Sequence, residues 1–417
     1  MADCVVVGAG PAGLAASIAL GNRGIDHVVL ERGVAGRTWR TQRWDSLRLN
    51  NPGWMNPMLG AQPAGSYLTA AQVCRRLELL AARCPVREQV PVTSLMPDGG
   101  GWLLRTGEGP LHARTVVVAT GGESVPRTPR AAGLLPSGIV QLHAAGYRRP
   151  ELLPAGAVLV VGSAQSGYQI ADELLGAGRR VVLATSRAGR APARHAGRET
   201  IEWLAESGFF DQRADDLADP SVVHAPQPLL APGGRSASLQ TLVRRGAVLT
   251  GRLVGIDGRR LRFDDSTSAT ITAADAFAAR IRTLLDEHLR RTGRAVPAPE
   301  PDPADEPVDI TPPTSLDLGA AGIGTVIWCT GYAGDFSWLH PVLRDGGRPV
   351  RRGAAGALPG IWYLGLRWLL RRCSGNFFGF PGDAATVADE VARTLHGNGT
   401  GTRRRPRPAA FDVVRTI

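Results

Sequence analysis

Apolar and small residues fall into the same pattern twice along the chain. Residues 4–7 form a short apolar run that predicts a buried strand. Gly8-Ala9-Gly10-Pro11-Ala12-Gly13 follows, then a helix of small residues to about Leu20 and a second apolar run at 27–30. Offset by 154 residues, the run 158–161 leads into Gly162-Ser163-Ala164-Gln165-Ser166-Gly167, a helix to about Leu175 and a strand at 180–184. Two shorter signals echo each other in the same way: Val116-Val117-Val118-Ala119-Thr120-Gly121 and Val326-Ile327-Trp328-Cys329-Thr330-Gly331 each predict a buried strand ending in Thr-Gly. The alternation of strand and helix predicts an α/β protein with two Rossmann-like dinucleotide-binding domains in a three-layer ββα/βαβ architecture. The simplest arrangement gives one Thr-Gly strand to each unit. Residues 1–150 and 325–417 then form the first unit, and residues 151–324 form a second inserted into it.

Between these patterns, residues 297–313 carry repeated prolines that remove donors and fix φ, so a surface connection is expected there. Before it, residues 273–291 show helical spacing at Phe277, Ile281, Leu284, Leu285 and Leu289, which predicts a helical embellishment of the inserted unit.

Composition narrows the picture. A chain of 417 residues, 43% hydrophobic, exceeds the usual size of one core and supports two domains. The net charge is +11, but all 48 basic residues are arginines spread along the sequence, which argues against a nucleic-acid surface. The one dense basic run, Arg403, Arg404, Arg405 and Arg407, resembles a solvated end. Cys4, Cys74, Cys84, Cys329 and Cys373 form no CxxC pair and no metal-ligand spacing, which points to a reducing compartment and away from dithiol chemistry. No apolar run approaches the length of a membrane span, and a strand begins within a few residues of Met1, so a cytoplasmic protein is expected.

The first glycine turn follows a strand, opens a helix and has Glu31 at the end of the next strand, the context in which G-x-G-x-x-G binds a dinucleotide. Gly8 permits the tight turn, Gly10 admits a pyrophosphate to the backbone, and Gly13 lets helix pack on strand. Pro11 and Ala12 open the helix, whose free N–H groups attract phosphate. Glu31 is placed to accept from the hydroxyls of an unphosphorylated ribose. In the second turn Gly162, Ser163, Gln165, Ser166 and Gly167 are the corresponding candidates. There Ala164 replaces the middle glycine and should push a pyrophosphate slightly away. Where the first unit has Glu31, the second has Thr185, Ser186 and Arg187. No carboxylate repels a 2′-phosphate, and a guanidinium can hold one for about 1.5 to 3 kcal/mol, favouring NADPH over NADH. Arg187 also suits a solvated loop.

Glu31-Arg32, Gly36-Arg37-Thr38-Trp39-Arg40 and Arg43-Trp44-Asp45-Ser46-Leu47-Arg48-Leu49-Asn50 together resemble the bacterial flavin-containing monooxygenase-like oxidoreductases, class B flavoproteins with two dinucleotide-binding domains. The likeness continues through Gln141-Leu142-His143 to Tyr147, then 162–167, Trp328-Cys329-Thr330-Gly331-Tyr332, and Leu364-Gly365-Leu366 onward to Asp383. The resemblance implies FAD and NADPH as cofactors. It further implies that NADPH reduces FAD, oxygen adds at flavin C4a, and the hydroperoxide passes one oxygen to a soft nucleophile. It places Arg32, Thr38, Trp39, Val90, Thr120, Gly121, Thr330, Gly331 and Tyr332 against the cofactors, with Asp383 on the flavin side. It also makes Asn50 the catalytic candidate, near C4a and NADP. Asn50 and Asn51 equally suit a turn before Pro52, and the Thr-Gly pairs suit plain strand termination. The aromatic residues Trp362, Tyr363, Trp368, Phe377, Phe378 and Phe380 suit core better than a substrate cavity.

Departures limit the function. The Baeyer–Villiger pattern FxGxxxHxxxW meets Ser137 and Ile139 in place of Phe and Gly, and Tyr147 in place of Trp; His143 remains, as a hinge or as a structural group. This favours oxygenation of nitrogen or sulfur in a small organic molecule over ketone insertion. The alternatives are an NADPH-dependent oxidase or dehydrogenase without oxygen insertion, a Baeyer–Villiger enzyme, and a non-catalytic FAD-binding protein with a lost nicotinamide site at Ala164. Ser166, Gly167 and Arg187 speak against the last. The partners expected are a small-molecule substrate and O2, with no nucleic acid, membrane or metal; a homodimer is allowed.

Overall fold

The computed structural model describes residues 1–63, 65–231, 235–298 and 300–397, so the arginine run at Arg403, Arg404, Arg405 and Arg407 lies outside the described residues. The first unit opens with β1 (Ala2–Val7), α1 (Pro11–Gly21) and β2 (His27–Leu30), followed by β3 (Gly109–Val118); β4 (Val140–His143) comes next in the chain and joins the second sheet. The second opens with β5 (Ala157–Val161), α2 (Gln165–Gly176) and β6 (Val181–Ala184). After these come α3 (Thr267–Arg291), β7 (Ile323–Trp328), β8 (Ile361–Tyr363) and α4 (Phe380–His396).

β1 is apolar along its length because it is the middle of a parallel sheet with both faces covered. The parallel strands run β8, β3, β1, β2 and Val86–Arg87 within a nine-stranded sheet. Its register sets Val5 against Val28 on one side and Val116 on the other. Leu14 and Leu20 of α1 and Val387 and Val391 of α4 share one core with Val5 and Val117. The second sheet has five parallel strands in the order Val248–Thr250, β6, β5, β7, β4. Each Thr-Gly strand is the parallel neighbour of its unit's first strand, with Val117 opposite Val6 and Val326 opposite Leu159. This is the mixed, mainly parallel, Rossmann-like α/β fold that the repeat predicts.

The chain leaves the first sheet after Val118 and enters the second at Val140, then returns between Trp328 and Ile361. The two crossings zip together, Tyr332 pairing with Pro126 and Ala333 with Val125. α3 starts at Thr267, earlier than the apolar spacing indicates, because Asp264 gathers the Ser266 amide and hydroxyl and fixes the helix start. Its Ile281, Leu285 and Leu289 pack on Trp203 and Leu204. In the proline-rich connection that follows, Asp305 pairs with Arg190 and with Arg282. Among the described residues, no helix is long and apolar enough to cross a membrane.

Candidate active site

β1 ends at Gly8, whose φ of +103° is open to glycine and whose Cβ, if it had one, would lie 2.8 Å from the Ala119 carbonyl oxygen. A Cβ on Gly13 would lie 1.8 Å from the Gly8 oxygen, so α1 can seat on the turn only because that position is bare. Beside Gly10 there is open space. α1 begins at Pro11 with no side-chain cap, leaving its first N–H groups and the positive end of its dipole to whatever occupies that space. Glu31 is buried at the end of β2. Its Oε2 accepts from the Ala9 amide at 2.8 Å and its Oε1 from the Gly33 amide at 3.0 Å. The carboxylate expected to meet a ribose therefore also braces the turn, and each oxygen keeps a further lone pair.

The second turn repeats the geometry. Gly162 has φ +102° and would set a Cβ 2.5 Å from the Cys329 oxygen, while a Cβ on Gly167 would lie 1.8 Å from the Gly162 oxygen. Ala164 adopts φ −71°, ψ −172°, nearly the φ −76°, ψ −177° of Gly10, an extended conformation open to any residue. Its methyl narrows the space outside the turn without straining it. The Ser163 amide donates to Ser186 Oγ at 3.1 Å, and Ser163 Oγ donates to the Ser186 carbonyl at 2.9 Å. Gln165 makes a double bridge to the Leu230 carbonyl and amide at 2.6 and 3.1 Å. Thr185 is buried with its hydroxyl on the Thr250 carbonyl, whereas Arg187 is exposed.

Both turns open onto one cavity of about 1730 Å³, larger than the roughly 300–1,000 Å³ of a pocket for one ligand. At its middle Asn50 accepts from Gln169 Nε2 at 2.5 Å, tying the loop after β2 to α2. Glu173, one turn further along α2, accepts from Ser46 at 2.8 Å and from buried Tyr147 at 3.0 Å. Burial pushes the Glu173 carboxyl and the Tyr147 phenol above their ordinary values. His143 Nδ1 accepts the Ala145 amide at 3.1 Å, which leaves the proton on Nε2 to donate to the Gly331 carbonyl at 3.0 Å. Burial lowers its pKa, so the ring is neutral and ties the end of β4 to the returning crossing. Arg43 stacks on Trp39 at 5.0 Å and on Tyr332 at 5.9 Å, its pKa also lowered by burial.

Residues 5–202 match the family model described as pyridine nucleotide-disulphide oxidoreductase. The chain is 25% identical to an uncharacterized oxidoreductase, CzcO-like, of Geobacillus kaustophilus, over 93% of this chain and 98% of that one. It is 34% identical to indole-3-pyruvate monooxygenase YUCCA1 of Oryza sativa subsp. japonica, over 41% of this chain and 44% of that one. In fold it is similar to a flavin-containing monooxygenase from Stenotrophomonas maltophilia, with TM-score 0.62 and 19% identity over 94% of this chain and 99% of that one. The chain is an oxidoreductase.

The two turns fit the FAD and NADPH expected from the sequence. In each, the glycine that ends the strand, Gly8 or Gly162, lines the cavity, and Gly13 or Gly167 behind it lets the helix seat on the turn. At the first, the Thr120 hydroxyl is also buried beside the cavity with no hydrogen-bond partner among the described residues, a donor left for a ligand. Of the residues expected at the cofactors, Gly8, Gly10, Pro11, Ala12, Glu31, Arg32, Thr38, Trp39, Thr120 and Gly121 line the cavity from the first unit and its exit. Asn50, Gly162, Gln165, Ser166, Ser186, Thr330, Gly331 and Tyr332 line it from the loop after β2, the second turn and the returning strand.

The rest stand behind this wall. Gly13, Ser163 and Gly167 seat helices and turns; Val90 is buried and donates its amide to the Glu31 carbonyl at 2.8 Å. Arg187 is exposed outside the lining. Asp383 lies buried in the first turn of α4, 3.4 Å from Arg371, with burial raising its pKa. Of the C-terminal aromatics, Trp362 and Tyr363 are core, while Trp368, Phe377 and Phe380 are both buried and part of the cavity wall. Sequence reasoning gave no role to Arg43, Gln169, Glu173 or Arg372. Their partners come from distant segments, and no local spacing announces them.

Proposed function

We propose that this oxidoreductase is an NADPH- and O2-dependent monooxygenase that adds one oxygen atom to a nitrogen or sulfur of a small organic molecule. The observation that carries this reading is that both glycine turns open into one cavity whose lining also includes Trp39, Trp368, Phe377 and Phe380. Bound FAD supplies a ring that NADPH can reduce and that can pass electrons to oxygen. The chain's part is to bind, orient and exclude water. Glu31 and the α1 N-terminus hold FAD, while Ser166, Ser186 and the α2 N-terminus hold NADPH, with Arg187 at the rim for the 2′-phosphate. The Asn50 and Gln169 amides present donors between the two, and Trp39, Phe377 and Phe380 keep water out.

Two features favour oxygenation over dithiol exchange. Cys329, the cysteine on the cavity wall, has its thiol pushed up to about 12 by burial, which removes the thiolate that exchange needs. The aligned relative in rice is named a monooxygenase. In the same reading, residues 1–150 and 325–417 form the FAD unit and 151–324 the inserted NADPH unit, except that the boundary strands 140–143 and 323–328 pair within the second sheet and go with the inserted unit, and the protein works in the cytoplasm.

The test is turnover of the FAD-loaded protein with NADPH, labelled ¹⁸O2 and a panel of thioethers and tertiary amines. Label in a sulfoxide or N-oxide is expected. NADPH consumption that yields only hydrogen peroxide, with every member of the panel recovered unchanged, would establish the oxidase reading instead.

A further inference from the structure

Arg372 stands on the cavity wall with its guanidinium carbon 4.0 Å from the ring centre of Phe209 and 4.6 Å from that of Trp368. Its Nε donates to Gln212 Oε1 at 2.9 Å, and its backbone N–H to the Gln212 carbonyl at 2.8 Å. Nη1 and Nη2 have no acceptor among the described residues, and no carboxylate lies within ion-pair distance. The acids nearby are taken by its neighbour Arg371, which pairs with Asp211 at 3.2 Å and Asp383 at 3.4 Å. Arg372 is half-buried, with its two terminal nitrogens open to the cavity and no acid against them, so desolvation penalises its charge without compensation. Here burial pulls the pKa down to about 10 with no acid to offset it, and the group is still charged at neutral pH.

The loop that carries this arginine is held in a costly shape. Trp368 has φ +52°, a left-handed conformation that bulky residues rarely adopt and that persists where surrounding structure imposes it. Gly365 packs on Ala12, where an added Cβ would lie 2.7 Å from the alanine methyl carbon, and Gly375 packs on the Arg367 amide. The loop is thereby clamped onto the first turn of α1. A guanidinium without an acid partner and flanked by aromatic rings thus sits on the segment that abuts the first turn, against Phe209 and Gln212.

We infer that Arg372, held between Phe209 and Trp368, binds an anionic group of the substrate, so that the cavity takes an aromatic or apolar molecule bearing a carboxylate. The planar fork matches a carboxylate bidentately, and the ring faces keep it oriented. In calling the ligand a substrate, this inference rests on the monooxygenase reading.

The test uses the FAD-loaded protein and two probes that differ in one charge, phenylsulfanylacetate and its methyl ester, with affinities read by titration calorimetry. The acid is expected to bind at least about tenfold more tightly than the ester. Arg372→Gln should abolish that preference while the ester's affinity stays within about twofold, and Arg372→Lys should keep part of it. Equal binding of acid and ester by the unmodified protein, or binding of neither, overturns the inference without recourse to any variant. It is also overturned if Arg372→Gln weakens acid and ester alike, or raises the KM for NADPH instead, which would give the guanidinium to packing or to the cofactor phosphate. Binding needs no turnover, so the two readings separate. Acid preference without sulfoxide keeps this inference and removes the monooxygenase; sulfoxide formed equally from acid and ester does the reverse.

Discussion

At both glycine turns a strand ends in a left-handed glycine, and the helix that follows carries a glycine whose Cβ would strike the turn oxygen at 1.8 Å. The position between them differs, Gly10 in one and Ala164 in the other, yet the backbone there is nearly the same, φ −76° against φ −71°. The substitution therefore changes the room outside the turn and leaves the turn intact. The larger difference lies at the end of the next strand. There the first unit buries a carboxylate that grips two loop amides, and the second interlocks the hydroxyls of Ser163 and Ser186. A turn braced by a buried charge suits a resident cofactor, whereas one braced by neutral hydroxyls with an exposed arginine nearby suits a cofactor that comes and goes.

The strongest way to break this comparison is to fill the bare helix positions. Gly13→Val should yield protein without flavin absorbance. Gly167→Val should keep FAD and slow anaerobic reduction by NADPH about 100-fold or more, because α2 is displaced from its turn. If both variants lost FAD alike, the division of labour between the turns would be wrong. Next in size, Glu31→Ala should weaken FAD roughly 10- to 100-fold by equilibrium dialysis, as the hydrogen bonds of a buried carboxylate are removed. Arg187 is exposed, so Arg187→Ala should raise the KM for NADPH only about two- to fivefold and leave that for NADH where it was.

The smallest effect concerns the link between the units. Burial raises the Glu173 carboxyl above 4.5, so the folded protein holds that proton more tightly than the unfolded chain does. The resulting contribution to stability is present below pH 4.5 and is lost as pH rises through the raised folded value. Thermal melts at pH 5 and pH 8 should show a small decline for the natural protein that Glu173→Gln flattens.

What could be read in the sequence follows from what is local. The strand, turn and helix of each unit lie within about thirty consecutive residues, so the spacing of Gly8, Gly10, Gly13 and Glu31 already carries their geometry. The two Thr-Gly strands were legible because a central parallel strand must be apolar throughout. Asn50 was named as a member of a motif, but its partner Gln169 is 119 positions away, and a hydrogen bond across that distance leaves no periodic trace. Arg43 and Arg372 were hidden by composition: among 48 arginines, the ones that matter are those without an acid, and only the folded chain shows which acids Arg371 has already taken. The C-terminal aromatics read as core, and Trp368, Phe377 and Phe380 are indeed buried; that they also face the cavity depends on the loop clamped against α1.

The central claim is that one turn keeps FAD and the other delivers hydride to it. Anaerobic titration of the purified protein with NADPH, followed by flavin absorbance, tests this most directly. The account predicts yellow protein with close to one FAD per chain, bleached by about one equivalent of NADPH. Protein that stays colourless when offered FAD, or a bound flavin that NADPH leaves oxidised, would contradict it.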